Sequence, residues 1–162
     1  KLYNPDDTIQ HAGVVVGLGG VAAHVLCKLP RDAEGYMGRL RCVQEISAVT
    51  AACMMVKTSV FKAVGGFDEE LKVAFNDIDL CMKVRKYGVK IVFTPYAELY
   101  HYESKSRGME DTPEKQLRFS REVNCFRRKW ERELLKGDPY YNPNLTLNNT
   151  DCSLRKQEKN GD

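Results

Sequence analysis

The sequence lacks any apolar run close to the ~20 residues that a membrane-spanning helix needs, and no signal peptide precedes its first strand-like segment. It also lacks a strong excess of charge of one sign. The 25 lysines and arginines and the 22 aspartates and glutamates are interspersed, which leaves a net charge of +3. Nucleic-acid partners favour a concentrated basic surface, so this pattern argues against them. We therefore predict a cytoplasmic protein that binds no nucleic acid.

Paired metal-binding cysteines are absent as well. None of the six cysteines belongs to a Cys-x-x-Cys pair, and several lie within apolar patterns, so we interpret them as reduced packing residues. The glycine run at 17–20 lacks the G-x-G-x-x-G spacing and the later acidic residue of a dinucleotide-binding loop. We therefore reject a dinucleotide site there.

The segments that are present alternate between strand-like and helix-like patterns. The 162 residues suit one domain, and their 43% hydrophobic content is enough for a core. The patterns predict strands at 13–16, 48–56 and 90–95, and helices at 59–64, about 77–87 and about 114–135. This order predicts an α/β fold: a mixed, mostly parallel sheet flanked by helices, with a long C-terminal helix.

The start of the second predicted helix contains two aspartates, in the stretch FNDIDLCMKVRKYG. Asn76 can cap this helix, with Asp79 as a capping-box-like partner three residues later, and both Asp77 and Asp79 favour the positive end of the helix dipole. However, two close carboxylates repel each other, and helix N-termini at the edge of an α/β sheet bind ligands. The spacing leaves two interpretations open. Both aspartates are structural, or one caps the helix while the other faces a ligand.

His101 is the second candidate, because it ends a strand-like run and is followed by a polar loop that contains Arg107. A lone histidine is more often a packed or hydrogen-bonded residue than a metal ligand. An imidazole followed by an arginine nevertheless suits a metal-bound diphosphate, with the histidine on the metal and the arginine on phosphate oxygens. For His11 and His24 we favour structural roles.

Five segments, in order, resemble the C-terminal part of family-2 glycosyltransferases, especially bacterial enzymes that assemble rhamnose-rich and other surface polysaccharides. They are TIQHAGVVVG, SAVTAACMMVK, VGGFDEE, FNDIDLCMKVRKYGVKIVFTPYAELYHYESKSRG and DPYYNPNL. The resemblance extends over residues 1–154 and implies the acceptor-side part of a glycosyltransferase A fold. We expect residues 155–162 to be a disordered tail.

The resemblance also implies a chemistry: inverting transfer of a sugar from a nucleotide-sugar donor to a saccharide or lipid-linked acceptor, with Mg²⁺ or Mn²⁺, in the cytoplasm or at the inner face of the membrane. The family's Glu-Asp pair is Asn76-Asp77 here, so Asp77 matches the catalytic base, with Asn76 and Asp79 as support on the acceptor side. His101 matches a metal ligand, and Arg107 matches a position that faces the donor diphosphate.

One part of the family pattern is missing. The first half of such enzymes carries an Asp-x-Asp that holds the metal and the diphosphate, whereas the only Asp-x-Asp here is Asp77-Ile78-Asp79. We therefore expect a fragment that is inactive alone. Mg²⁺ and Mn²⁺ prefer several oxygen ligands, so we expect no tightly bound metal. An incomplete sheet has an exposed edge, through which we expect the fragment to self-associate.

Two alternatives remain open. A non-catalytic saccharide- or protein-binding module derived from this fold would use Trp130 and the pair Tyr140-Tyr141. A small metal hydrolase would use Asp77, Asp79 and His101, although this set offers few ligands.

Overall fold

Short strands and helices form the part of the chain that the computed structural model describes, residues 1–102 and 112–156. The strands are β1 (Leu2–Tyr3), β2 (Ile9–His11), β3 (Val14–Val16), β4 (Ala22–His24), β5 (Gln44–Glu45), β6 (Val92–Phe93) and β7 (Leu99–Tyr100). The helices are α1 (Thr58–Ala63), α2 (Asn76–Lys86), α3 (Pro113–Lys129) and α4 (Glu131–Lys136), with 3-10 turns at Leu18–Gly20, Tyr36–Arg41 and Ala51–Cys53. Within these ranges, no helix combines the length and the apolar character that crossing a bilayer requires.

The strands pair into three small sheets. β1 lies between β2, which is antiparallel to it, and β7, which is parallel to it. The pairs β3–β4 and β5–β6 are both antiparallel. The α/β class is confirmed, but the prediction of a mostly parallel sheet is wrong, since only the β1–β7 pairing among the described residues is parallel. A short turn with positive φ at Gly17 and Gly19 returns β3 directly to β4, so no helical crossover is needed there.

Strand β3 is buried on both faces and separates two apolar cores. Val15 packs into one core, whereas Val14 and Val16 pack into the other, because successive side chains of a strand point to opposite faces. The first core includes Tyr3, Ile9, Leu40, Ile46 and Leu145, and the second includes Ile78, Met82, Phe126 and Trp130. The strand predicted at 13–16 is confirmed, and it joins the strand-rich side of the fold to the helices.

The apolar run at 48–56 was predicted to be a central strand, and this prediction is wrong. Ala48 is buried and bridges to Val14, but Ala51–Cys53 form an exposed 3-10 turn. The hydroxyl of Thr50 accepts a hydrogen bond from the Ala52 amide at 3.3 Å and so caps this turn. Met55 is 99% exposed, so hydrophobicity alone did not bring the segment into the core.

The helices match the predicted ones at 59–64 and 77–87 to within one residue, but the long C-terminal helix is interrupted. Trp130 leaves the helical region, with φ −114° and ψ 22°, and separates α3 from α4. Its indole is 3% exposed and lies in the second core. The turn at Trp130 therefore places a large ring against α2, where a continuous helix was expected.

Candidate functional site

Asp77 lies in the first turn of α2 and is half-buried. Its Oδ1 accepts a hydrogen bond from the Ile78 amide at 2.8 Å, and its Oδ2 accepts one from the Ala51 amide at 3.0 Å. This position lies at the positive end of the helix dipole. Asp77 thus connects α2 to the turn at 51–53, and its carboxylate is still in part exposed to solvent.

The start of α2 differs from the predicted capping box. Phe75 precedes the helix in the left-handed region, at φ 63°, and Asn76 is the first helical residue rather than the cap. The Oδ1 of Asn76 accepts from the Asp77 amide at 2.7 Å. Asp79 makes no capping contact with Asn76; its carboxylate points into the protein, so the predicted capping role of this pair is wrong.

Asp79 is a fully buried charge, with 0% exposure. Its Oδ1 accepts hydrogen bonds from the Trp130 indole Nε1 and from Lys129 Nζ, each at 2.8 Å. Its Oδ2 has no hydrogen bond of good geometry, but Lys83 Nζ lies 3.2 Å away on the next turn of α2 as an ion pair. A buried carboxylate requires such compensation. Asp79 therefore joins α2 to the end of α3.

The cations around Asp79 are themselves held in place. Lys129 also pairs with Asp68, and Lys83 Nζ also donates to the carbonyl oxygen of Gly66. Partial burial alone would lower the pKa of Lys129, but the hydrogen bonds to Asp68 and Asp79 outweigh burial and raise it. Lys129 therefore stays charged near neutral pH, and its ammonium group faces the Asp79 carboxylate.

A second buried carboxylate holds the loop that leads into α2. Glu122, on α3, is 3% exposed, and its two oxygens accept hydrogen bonds from the amides of Val73 and Ala74 at 3.2 and 2.8 Å. The ring of Phe75, the next residue, packs against Phe126 with centroids 5.3 Å apart. Glu122 and the aromatic pair together fix the loop immediately before Asp77.

Replacing Glu122 with alanine is expected to lower the free energy of unfolding by about 2 kcal/mol, because two backbone donors lose their acceptor and unmet polar groups cost about 1–3 kcal/mol. Urea denaturation measures this change. Glu122→Gln keeps one acceptor oxygen and should lose less. Glu69→Gln, at an exposed loop position, is the control and should change stability little. Equal effects at positions 69 and 122 would contradict this role for Glu122.

His101 follows β7 and is half-buried beside Gln10 of β2. Gln10 Oε1 lies 2.7 Å from His101 Nδ1, and Gln10 Nε2 donates to the His101 carbonyl oxygen at 3.0 Å. The His101 amide donates to the carbonyl oxygen of Tyr3 at 3.0 Å. His101 is therefore held through its backbone and through one ring nitrogen, and its other nitrogen, Nε2, is not used in these contacts.

The strand before His101 is anchored by Glu98. The hydroxyl of Tyr3 donates to Glu98 Oε1 at 2.6 Å, and Arg31 donates to Oε2 at 2.8 Å. These hydrogen bonds lower the pKa of Glu98 to about 2, and the hydrogen bond from Tyr3 has the largest effect. Glu98 therefore remains ionised at neutral pH and keeps β7 beside β1.

The remaining two histidines lie next to Gln10. His11 is 4% exposed, its Nε2 accepts from the Thr50 amide at 3.4 Å, and its ring lies edge-on to that of His24 at 4.8 Å. Burial, together with the nearby His24, holds the pKa of His11 well below its ordinary value, so this imidazole is neutral at pH 7. Nδ1 of His24 lies 3.2 Å from the carbonyl oxygen of Gln10. The structural roles predicted for both histidines agree with these contacts.

Three hydrogen bonds, together with short stretches of backbone, lead from Asp77 to His101. Asp77 bonds the Ala51 amide, the neighbouring Thr50 amide bonds His11, and Gln10, the residue before His11, bonds the His101 ring. The connection is indirect: it consists of three hydrogen bonds joined through the backbone of residues 50–51 and 10–11. Arg107, the third candidate, lies outside the described residues.

Most of the residues that a binding module or a metal hydrolase would use are buried or covered. Trp130 and Tyr141 are 3% and 7% exposed, so neither presents an open ring face to a sugar, and Arg85 covers the ring of Tyr140 at 5.4 Å. Trp130 and Tyr141 are therefore too buried to serve as open aromatic faces, whereas Tyr140 is half-buried and lines a cavity of about 530 Å³ together with Trp130. Asp79 is buried by Trp130 and two lysines, which removes it from any hydrolase site. Over residues 1–102 and 112–156, no three histidine, cysteine, aspartate or glutamate side chains converge as a metal site.

Two residues that sequence reasoning missed are Gln10 and Glu122. Gln10 lies in the middle of a buried strand, where an amide is unusual, and this was a usable signal. Glu122 lies on the same helical face as Phe119, Val123 and Phe126, by i+3 and i+4 spacing. A carboxylate within an apolar stripe predicts a buried partner, although it does not identify that partner.

All six cysteines are reduced, as predicted, but Cys42 and Cys53 are exposed, so the packing role predicted for them is wrong. Cys81 is buried on α2, and burial raises its pKa to about 12, so its thiol stays protonated.

Comparison with curated proteins found long relatives. The sequence is 58% identical to an uncharacterized protein, y4gI, of Sinorhizobium fredii. The 155 matched residues cover 95% of this chain and 17% of that protein. It is 39% identical to the O-antigen biosynthesis protein RfbC of Myxococcus xanthus. The alignment of 163 residues covers 100% of this chain and 12% of that protein. Over 62 residues, 38% of the chain and 20% of the relative, it is 36% identical to an N-acetylglucosaminyl-diphospho-decaprenol L-rhamnosyltransferase of Mycobacterium tuberculosis.

No family model matches the sequence. No solved structure matches it either. The chain spans only 17% and 12% of the length of the first two relatives. The names of the second and third relatives refer to O-antigen biosynthesis and to rhamnosyl transfer, in keeping with the resemblance noted in the sequence.

Proposed function

We propose that the chain is the acceptor-side part of an inverting family-2 glycosyltransferase of the glycosyltransferase A fold. We use the term parent protein for the longest natural chain that contains these residues. In this proposal the parent protein transfers a sugar from a nucleotide-sugar donor to a saccharide or lipid-linked acceptor during surface-polysaccharide synthesis. The observation that carries the proposal is the half-buried Asp77 carboxylate, which two backbone amides hold in place and which is still in part exposed to solvent. The glycosyltransferase name of one relative supports the same chemistry.

Asp77 is assigned as the general base. Its two oxygens each accept one backbone hydrogen bond, and a carboxylate has about four acceptor positions, so capacity remains for an acceptor hydroxyl. Asp77 would take the hydroxyl proton as that oxygen attacks the anomeric carbon of the donor sugar. The nucleoside diphosphate leaves from the opposite face, which inverts the configuration at this carbon. The attachment of Asp77 to the turn at 51–53 keeps its carboxylate in one orientation.

The supporting residues act through position. Asp79 holds α2 against α3 by its bonds to Trp130 and Lys129, and Asn76 bonds the amide of Asp77. In the proposed enzyme these contacts set the direction of the Asp77 carboxylate, and neither Asp79 nor Asn76 touches the substrate. Both residues therefore have a role on the acceptor side that differs from the capping role first predicted.

The metal fits only in part with the described residues. His101 would supply one imidazole ligand through Nε2, and Mg²⁺ or Mn²⁺ would need additional oxygen ligands from elsewhere in the parent protein and from the diphosphate. When bound, the metal offsets the negative charge that develops on the departing diphosphate. Arg107 is proposed to bind the same diphosphate oxygens. With one candidate ligand, the isolated chain is proposed to bind metal weakly and to be inactive.

The location and assembly of the protein also remain proposals. We place the transfer reaction in the cytoplasm or at the inner face of the membrane, where nucleotide sugars and a lipid-linked acceptor can meet. Self-association is proposed at the edge of β7, where Leu99 and Tyr100 are 48% and 45% exposed.

The test of this function is a transfer assay on the parent protein. Purified protein is incubated with Mn²⁺, a set of nucleotide sugars and saccharide acceptors, and the release of nucleoside diphosphate is measured. The proposal predicts release that depends on both an acceptor and the metal. Saccharide binding without any release would favour the non-catalytic binding module and contradict the transferase.

A further inference from the structure

We propose that the cavity lined by Arg85, Trp130 and Tyr140 is a binding site for a small organic anion, whose carboxylate or phosphate group is held by Arg85. The inference goes beyond the proposed function and does not depend on it. Arg85 lies eight residues after Asp77 on α2, which is about 12 Å farther along the helix axis at the usual rise of 1.5 Å per residue. The cavity is therefore separate from the candidate site around Asp77.

The size and the walls of this cavity suit a small molecule. Its volume of about 530 Å³ lies within the range of roughly 300–1,000 Å³ that small-molecule sites occupy. The end of α2, helix α4 and the segment after α4 form its walls, with apolar contributions from Val16, Met82 and Pro139. The charged group of a ligand therefore needs only part of this space, and the apolar walls are available to the rest of the ligand.

Positive charge predominates among the side chains that line the cavity. They comprise four cations and two carboxylates: Arg85, Lys86, Lys90, Lys136, Glu45 and Glu133. Lys90 forms an ion pair with Glu45, and the hydroxyl of Tyr140 also donates to Glu45 at 3.3 Å. Glu45 and Lys90 thus compensate each other, and Glu133 is the one remaining carboxylate of the lining against three cations. The lining therefore attracts an anion.

Arg85 is the cation of this lining that the fold holds in place. It is half-buried, and its Nη1 donates to Ser47 Oγ at 3.1 Å and lies 3.5 Å from Met82 Sδ. Its guanidinium lies 5.4 Å from the ring centroid of Tyr140. These three partners are uncharged, and no carboxylate of residues 1–102 or 112–156 forms an ion pair with Arg85. Its Nε and Nη2 are not used in these contacts, and a guanidinium fork matches the oxygens of a carboxylate or phosphate.

A purely structural role is the competing explanation, because cations in the last turn of a helix are stabilised by the negative end of its dipole. This explanation suits Lys86 at the end of α2 and Lys136 at the end of α4, both of which are exposed. The end of a helix carries about half an elementary charge, which one lysine is enough to offset. The half-buried Arg85 is then left without a counter-charge, and a bound anion supplies one.

The experiment is an NMR titration of the nitrogen-15-labelled 162-residue chain with glucuronate, glucose 6-phosphate and glucose. These three sugars share one ring and differ in the group at carbon 6, which is a carboxylate, a phosphate ester or a hydroxyl. The amide signals of Gly88 and Gly137, which line the cavity, report its occupancy, and that of Gly65, outside the lining, is the reference. At least one of the two anions should shift the signals of Gly88 and Gly137, whereas glucose should shift neither. A response to one anion alone identifies the group that Arg85 holds.

Variants then show whether Arg85 holds the anion. Arg85→Met should weaken anion binding at least ~10-fold, because it removes hydrogen bonds between charged groups. Arg85→Lys keeps the charge without the planar fork and should bind with an affinity between those of the wild type and Arg85→Met. Lys136→Gln, at an exposed position, should weaken binding roughly 2-fold and replaces Arg85→Met in the test if that variant does not fold. The matched control is Arg121→Met, which removes one charge at an exposed position outside the lining and should leave binding unchanged.

Three results would overturn the inference. The first is that neither anion shifts the signals of Gly88 and Gly137 at any concentration up to the solubility of the sugars. The second is an equal response to glucose, which would mean that the cavity does not recognise the anionic group. The third is an equal loss of binding in Arg85→Met and Arg121→Met, or no loss in Lys136→Gln where that variant replaces Arg85→Met. None of these results bears on the transferase proposal, which is tested by transfer in the parent protein.

Discussion

Replacement of Asp77 by asparagine is expected to lower glycosyl transfer by the parent protein by at least ~10²-fold, a typical contribution of a general base. Asparagine has nearly the same shape as aspartate, and its amide oxygen can still accept from the amide of Ala51 or Ile78. It cannot accept a proton from the acceptor hydroxyl at neutral pH. The loss should therefore appear in turnover, while donor binding and the midpoint of urea unfolding stay close to those of the wild type.

The control for this experiment is Asp32→Asn, at an exposed position in the loop after β4. This variant changes the net charge by the same amount but lies outside the candidate site, so transfer should be unaffected. Undiminished transfer by Asp77→Asn would remove Asp77 from the role of base. A loss accompanied by unfolding would instead assign Asp77 to the support of the turn at 51–53.

Replacement of Asp79 by asparagine is expected to lower the free energy of unfolding by ~3 kcal/mol, because removal of one member of a buried ion pair leaves its partners uncompensated. Asparagine keeps an oxygen for the Trp130 indole but gives up the charge that faces Lys83 and Lys129. The chain is sufficient for this measurement, which uses urea denaturation. Asp32→Asn again serves as the exposed control, with an expected change within about 0.5 kcal/mol.

A double-mutant cycle distinguishes the ion pair from general packing. Lys129→Met alone should destabilise less than Asp79→Asn, because Lys83 still compensates Asp79. The two changes together should cost less than the sum of the single changes, with a coupling energy within the range of about 0.5–3 kcal/mol seen for groups in contact. Strict additivity would contradict a direct interaction between Asp79 and Lys129.

The local features of the fold were predictable from the sequence. Helix α2 was identified from its apolar spacing and from Gly88, which has φ 90° just after the last turn. The strand at 13–16 was identified from a continuous valine run. These predictions succeeded because short-range chemistry, such as helix periodicity and a glycine stop signal, decides where each element begins and ends.

The features that failed depend on contacts between distant residues. Nothing near Trp130 in the sequence shows that its indole bonds a carboxylate 51 positions away, so the break between α3 and α4 was missed. Likewise, the apolar run at 48–56 carries the right composition for a strand but finds no neighbouring strand beyond Ala48. The orientation of strand pairs was also missed, because alternation of strands and helices does not specify which strands become neighbours.

In the candidate site, too, local features were predictable from the sequence, whereas contacts between distant residues were not. Its aspartate was selected from helix-start chemistry, and its histidine from its place after a strand. The link between them through Thr50, His11 and Gln10 required the folded chain, since Gln10 and His101 are 91 positions apart. The capping role predicted for Asp79 needed revision for the same reason, because two of its partners, Trp130 and Lys129, lie at the end of another helix.

The most direct test of the account is the position of Mn²⁺ in crystals of the parent protein grown with Mn²⁺ and the nucleoside diphosphate released in the transfer assay, determined by anomalous scattering. The account predicts Mn²⁺ bound to Nε2 of His101, with the diphosphate on the metal and the Asp77 carboxylate facing the same cleft across the space for the sugar. Mn²⁺ and diphosphate bound at a different cleft, away from both His101 and Asp77, would contradict it.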